Sequence, residues 1–226
     1  MNKVYRIILV LICLLVPNNM ILKAQDDILM VRLRAGNNTS FGNFAAVSFE
    51  SAKRIYNELS VSGGVQYNTI GKTALEARPA YDFPFDWGVV SAEMPLTYTN
   101  FSSVNSFTAG AGASFKSVWA SARLGWYYRV YGGKGGKINE PFNVYYEATV
   151  HFLRNIKDWN LDFTITDCEI FELERHYQPS FIIEGSYYPT ENLGVHLGIG
   201  CNPAGMFNIA ADYYQTYLRT GVCYRW

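Results

Sequence analysis

From Ile28 to the last residue, the chain alternates apolar and polar side chains with a period of two. That pattern confines it to extended strands with two chemically different faces. The final segment shows it most fully. Tyr214, Thr216, Leu218, Thr220, Val222, Tyr224 and Trp226 fall on one face, and Gln215, Tyr217, Arg219, Gly221, Cys223 and Arg225 on the other. The same rule runs backwards through Leu193–Gly200, Phe181–Tyr188, Trp159–Thr166, Asn143–Phe152, Ala120–Arg129, Ser106–Phe115, Val90–Tyr98, Leu75–Phe83 and Leu59–Tyr67. Two weaker stretches, Ile28–Ala35 and Phe44–Phe49, bring the count to about twelve strands within a range of ten to fourteen. No segment after Gln25 keeps a helical apolar stripe for three turns.

Every charge inside these segments falls on the second face. Seven arginines (Arg32, Arg34, Arg78, Arg123, Arg129, Arg219, Arg225) stand there against six acids (Glu76, Asp82, Glu93, Glu147, Asp162, Glu184). A soluble sandwich would put that face in water and the apolar face in a core. Four features favour a membrane barrel instead. The segments run about nine to thirteen residues, the length of tilted strands crossing a bilayer. Aromatics collect at both ends of the apolar face: Tyr67, Tyr98, Phe107, Phe142 and Tyr214 mark one rim, and Phe83, Phe115, Phe152, Trp159, Tyr187, Tyr224 and Trp226 the other. An even strand count returns both termini to one side. The turns there, Asp86-Trp87-Gly88 and Thr190-Glu191-Asn192, are short, whereas Gly132–Pro141, Thr166–Gln178 and Asn202–Tyr213 read as longer loops opposite. The chain also ends on an aromatic at an apolar-face position.

Composition agrees. Charged residues are 17% and aromatics 16%, yet mean hydropathy is −0.03, a combination that suits alternation and excludes apolar helical spans. Net charge is zero, with scattered basic residues and no footprint for nucleic acid. At the N-terminus, Lys3 and Arg6 precede an apolar run from Ile7 to Val16 and then Lys23-Ala24-Gln25. This is the layout of a secretory signal peptide, expected to cover residues 1–24, with residues 25–226 as one domain.

The terminal stretch Tyr217–Trp226 resembles the β-signal by which bacterial outer-membrane β-barrel proteins are recognised for insertion, with Trp226 where that family usually ends in Phe. The resemblance implies an all-β, closed, antiparallel up-and-down transmembrane barrel in the outer membrane with both termini periplasmic. It also implies insertion by the assembly machinery through Tyr217–Trp226 and the lipid bilayer as surroundings. The expected membrane girdle is Tyr67, Tyr98, Trp159, Tyr187, Tyr214, Tyr224 and Trp226. A barrel must close, because backbone groups facing lipid have no water to bond, so Ile28–Ala35 is expected to pair with Tyr214–Trp226.

No catalytic set assembles from spacing. None of His151, His176 and His196 has Ser two residues later, the element that barrel phospholipases and lipid A deacylases share. His151 shares a face with Glu147, and His196 lies one strand from Glu184. The acidic stretch Asp167–His176 matches no metal-loop spacing, so neither a metal nor a cofactor is expected. Cys201 and Cys223 fall on opposite faces, and a Cys168–Cys201 disulfide is not expected. The leading expectation is a passive porin-like channel for small solutes, non-enzymatic, with a mixed-charge lumen. Its pore-lining candidates are Arg78, Glu93, Arg123, Arg129, Glu147, His151, Glu184, His196 and Arg219. Inward glycines and serines at Ser106–Ser114 and Gly194–Gly200 suggest open space. The competing expectation is a non-conducting barrel that engages a partner through its loops.

Overall fold

The computed structural model describes residues 27–101, 104–133, 136–152, 158–168, 179–203 and 213–226. The expected leader, His176 and most of the acidic stretch lie outside the described residues, as do the side chains of Phe142 and Tyr214. The strands are β1 (Ile28–Asn38), β2 (Gly42–Tyr56), β3 (Leu59–Asn68), β4 (Lys72–Phe85), β5 (Gly88–Glu93), β6 (Leu96–Phe101), β7 (Val104–Lys116), β8 (Ala120–Gly133), β9 (Gly136–Phe152), β10 (Trp159–Thr166), β11 (Ser180–Tyr187), β12 (Leu193–Pro203) and β13 (Tyr213–Arg225). Neighbouring strands pair antiparallel throughout except β5 with β6, and β1 closes on β13 from Ile28↔Arg225 to Asn38↔Gln215. The backbone N–H of Trp226 reaches the carbonyl of Asp27, joining the last residue to the start of the described chain.

β5 and β6 are two halves of one crossing strand, since both pair with β4 and with β7. The interruption falls at Met94-Pro95, where proline supplies no N–H to the ladder. Alternation survives the break: Met94 is 49% exposed outside while Glu93 is buried inside. Twelve crossing strands therefore close the barrel, with no open edge among the described residues.

The outer surface is apolar. Leu197, Leu218, Leu124 and Val144 are each more than half exposed, which makes sense only against lipid. Aromatics ring both ends. Trp159 packs on Tyr187, Tyr224 on Trp226, and Phe85 on Trp87 near the termini, with Phe41 against Phe101 at the other end. The turn between β3 and β4 is closed by Gly71 at φ +83°, a conformation that favours glycine, while the Asn68 side chain accepts from the Lys72 N–H.

Two strands run longer than the alternation suggested. β2 continues to Tyr56, past the expected end at Phe49, and so brings Glu50 onto the inner face. The stretch Gly132–Pro141, expected as a loop, is largely hairpin. Tyr131 pairs with Ile138 and Gly133 with Gly136, after a bulge between Tyr127 and Arg129. The bulge absorbs the register mismatch.

Candidate functional site

The barrel interior holds a cavity of about 470 Å³. Five arginines line it (Arg32, Arg34, Arg78, Arg123, Arg219) with three glutamates (Glu50, Glu76, Glu147), amid threonines and serines. Pairing across strands fixes most of these side chains. Arg32 Nη1 donates to both Glu50 oxygens at 2.8 and 2.9 Å, across the β1–β2 pair. Arg78 meets Glu76 on its own strand at 2.5 Å. Arg123 bridges two carboxylates, with Nε 2.9 Å from Glu93 and Nη1 3.1 Å from Glu147. Arg219 Nε lies 2.6 Å from Glu184. Enclosing a carboxylate as fully as Glu93, 2% exposed at its side chain, is costly without such a partner.

All nine pore-lining candidates face the interior, but they divide into groups. Arg78, Arg123, Glu147 and Arg219 line the cavity, while Glu93 and Glu184 sit behind it and hold arginines in place. Arg129 lies apart, bonded to the Thr108 hydroxyl at 2.9 Å and flanked by the rings of Tyr127 and Tyr131. His151 pairs with Asp162 at 2.8 Å, its direct cross-strand neighbour, and not with Glu147 two turns of the pleat away. His196 Nδ1 lies 2.8 Å from the Ser186 hydroxyl and 3.4 Å from Glu184, and its Nε2 is 3.2 Å from Cys223 Sγ.

That thiol, imidazole and carboxylate form an arrangement spacing alone did not reveal. The cavity lining includes none of His196, Ser186 and Cys223, and Cys223 is 1% exposed, so a substrate has no approach to the sulfur. Cys168, Cys201 and Cys223 are free thiols. Cys168, just beyond β10, lines the cavity; burial, then the nearby Glu147 charge, pushes its thiol up to about 12.

The inward glycines of Ser106–Ser114 and Gly194–Gly200 do not leave open space, contrary to expectation. Gly112, Gly125, Gly194 and Gly200 are seats for aromatic rings. Glu93, Gly112, Gly125 and Tyr145 stand side by side on consecutive strands, and Tyr145 lies across both glycines so that its hydroxyl donates to Glu93 at 3.3 Å. A Cβ on Gly112 or Gly125 would come within 2.4 Å of that tyrosine. Tyr217 covers Gly200 in the same way. Gly198 lies between Glu184 and Arg219 and lets the guanidinium cross to its carboxylate. Ring-on-glycine packing of this kind restores contacts that a bare strand lacks.

No protein-family model matches the chain, and no curated protein matches it significantly. Solved structures do. The KdgM porin in complex with disordered oligogalacturonate superposes with a TM-score of 0.57 at 16% identity, over 88% of this chain and 99% of that one. The chain shares its closed antiparallel β-barrel fold with these outer-membrane proteins. The NanC porin aligns with this barrel at TM-score 0.56 and 12% identity, over 88% and 100% of the two chains. Outer membrane phospholipase A from Escherichia coli aligns at TM-score 0.52 and 11% identity, over 93% and 94%. Identities this low establish a shared fold, and the interior must be read on its own residues.

Proposed function

We propose that this barrel is a passive channel for small solutes in the bacterial outer membrane, with a preference for anions. One observation carries the reading: a cavity lined by charged side chains inside a closed barrel whose outer face is apolar. The lining is unequal, five arginines to three glutamates, and charge rings on a pore wall bias which ions enter. The KdgM porin, whose structure was solved with oligogalacturonate, is a similar barrel that meets an acidic sugar chain. Residues 1–24 serve as the cleaved leader, both termini face the periplasm, and Tyr217–Trp226 is the segment the assembly machinery reads. In this reading the barrel acts without catalysis, and the Cys223–His196–Glu184 group, buried behind the wall, serves packing.

Swelling of liposomes containing the purified protein tests this. Small carboxylate-bearing solutes should enter faster than cations of equal size. Liposomes that stay shrunken in every isotonic solute would remove the channel reading and favour a barrel that works through its loops.

A further inference from the structure

Tyr217 stands on β13 directly between Gly36 of β1 and Gly200 of β12. A Cβ on Gly200 would lie 2.1 to 2.4 Å from Cζ, Cε2 and the hydroxyl of Tyr217, and these three ring atoms are its nearest neighbours. At this position the phenol ring, not the backbone, occupies the place a side chain would take. The ring also meets the Arg34 guanidinium at 4.6 Å, and Arg34 in turn lies 5.4 Å from the ring of Phe44. Glycine, phenol, guanidinium and phenyl thus form one contiguous cluster on the barrel wall. Tyr217 is 2% exposed although both it and Arg34 line the cavity. A phenol laid flat takes little depth from the lumen, and a phenol pushed upright takes more.

We propose that Gly200 and Tyr217 set the bore of the channel, and that Tyr217 is the positioning residue that holds Arg34 against the wall. Only a residue without a side chain at 200 lets the ring lie down. The ring in turn gives Arg34 a flat aromatic surface, a contact that suits a planar guanidinium. The inference rests on the channel reading and concerns which residues set its width.

The test is a two-by-two set: wild type, Gly200→Ala, Tyr217→Ala and the double variant. Each is purified as the full barrel and read by single-channel conductance in planar bilayers and by the urea midpoint in detergent. Gly200→Ala should lower conductance roughly two-fold by standing the ring into the lumen, and Tyr217→Ala should raise it by about as much. Because the three atoms nearest the added methyl all belong to Tyr217, the effect of Gly200→Ala on conductance and midpoint should shrink sharply once Tyr217 is alanine. If Gly200→Ala fails to fold while the double variant folds, the seat is supported in the same way. Equal effects of Gly200→Ala in both backgrounds, on either readout, would overturn the inference, as would failure of both variants to fold. Wild-type protein that never conducts would instead defeat the channel reading, and with it the bore-setting role; the midpoint cycle would then report only the ring-on-glycine contact.

Discussion

Arg123 is the side chain whose removal should cost most. It bridges two carboxylates, Glu93 at 2.9 Å and Glu147 at 3.1 Å. The two are not equivalent. Glu93 is 2% exposed at its side chain, whereas Glu147 is 29% exposed and already partly hydrated. Arg123→Met would leave Glu93 buried with only the Tyr145 hydroxyl as donor. Breaking an enclosed pair in this way costs on the order of 3–5 kcal/mol. Arg123 itself is 24% exposed, so water partly compensates and the lower end, about 3 kcal/mol, is expected. With a urea slope of about 2 kcal/mol per molar, the unfolding midpoint should fall by roughly 1.5 M. Tryptophan fluorescence during reversible unfolding from detergent or lipid reads this directly. Glu93→Gln in the Arg123→Met background should recover about 1–2 kcal/mol, because a neutral amide can stay buried beside Tyr145. Glu147→Gln alone should cost under about 1 kcal/mol. An Arg123→Met midpoint within error of wild type, or no recovery on adding Glu93→Gln, would refute the bridge as a stabilising contact.

Further outcomes follow from the same geometry. Leu218→Arg, on the lipid face and 61% exposed, should cost about 2–4 kcal/mol in phospholipid vesicles, and a neutral result there would place that face away from the membrane midplane. Arg34→Gln should move the reversal potential under a salt gradient towards that of a non-selective pore; an unchanged potential would show that Arg34 does not act on permeating ions. Folded protein at pH 8 should resist iodoacetamide. Cys168, with its thiol at about 12, is ionised in on the order of one molecule in ten thousand. The sign is fixed by burial, which disfavours the thiolate, so labelling should rise with pH. After denaturation without reductant the mature chain should take up three alkyl groups, and a fourth would mean that Cys13 and the leader remain.

The strand faces were legible in the sequence because period-two alternation is a local property and each inward or outward assignment needs only neighbours in the chain. Arg219 and Arg225 inside, with Leu218 and Val222 outside, follow from that rule alone. What escaped depends on register, which alternation does not carry. Glu50 was missed because β2 loses its clean alternation after Phe49, where Ser51, Ala52, Lys53 and Arg54 carry no apolar beat. That Tyr145 reaches Glu93 requires two glycines on intervening strands at one level, and the turns set that level. The inward glycines looked like empty space for the same reason. Only the cross-strand neighbours reveal that Tyr145 and Tyr217 fill them. Arg32 and Arg34 were placed on the charged face, yet nothing local marked them as cavity-lining in preference to Arg129, which the structure sets apart beside Thr108.

Current through single copies of the purified barrel in a planar bilayer, recorded under a tenfold potassium chloride gradient, tests the central claim most directly. Stepwise openings with a reversal potential of the sign set by chloride are predicted from a cavity lining of five arginines against three glutamates. A silent membrane at all voltages would contradict the channel, and openings that reverse at the potassium potential would contradict the charge reading of its wall.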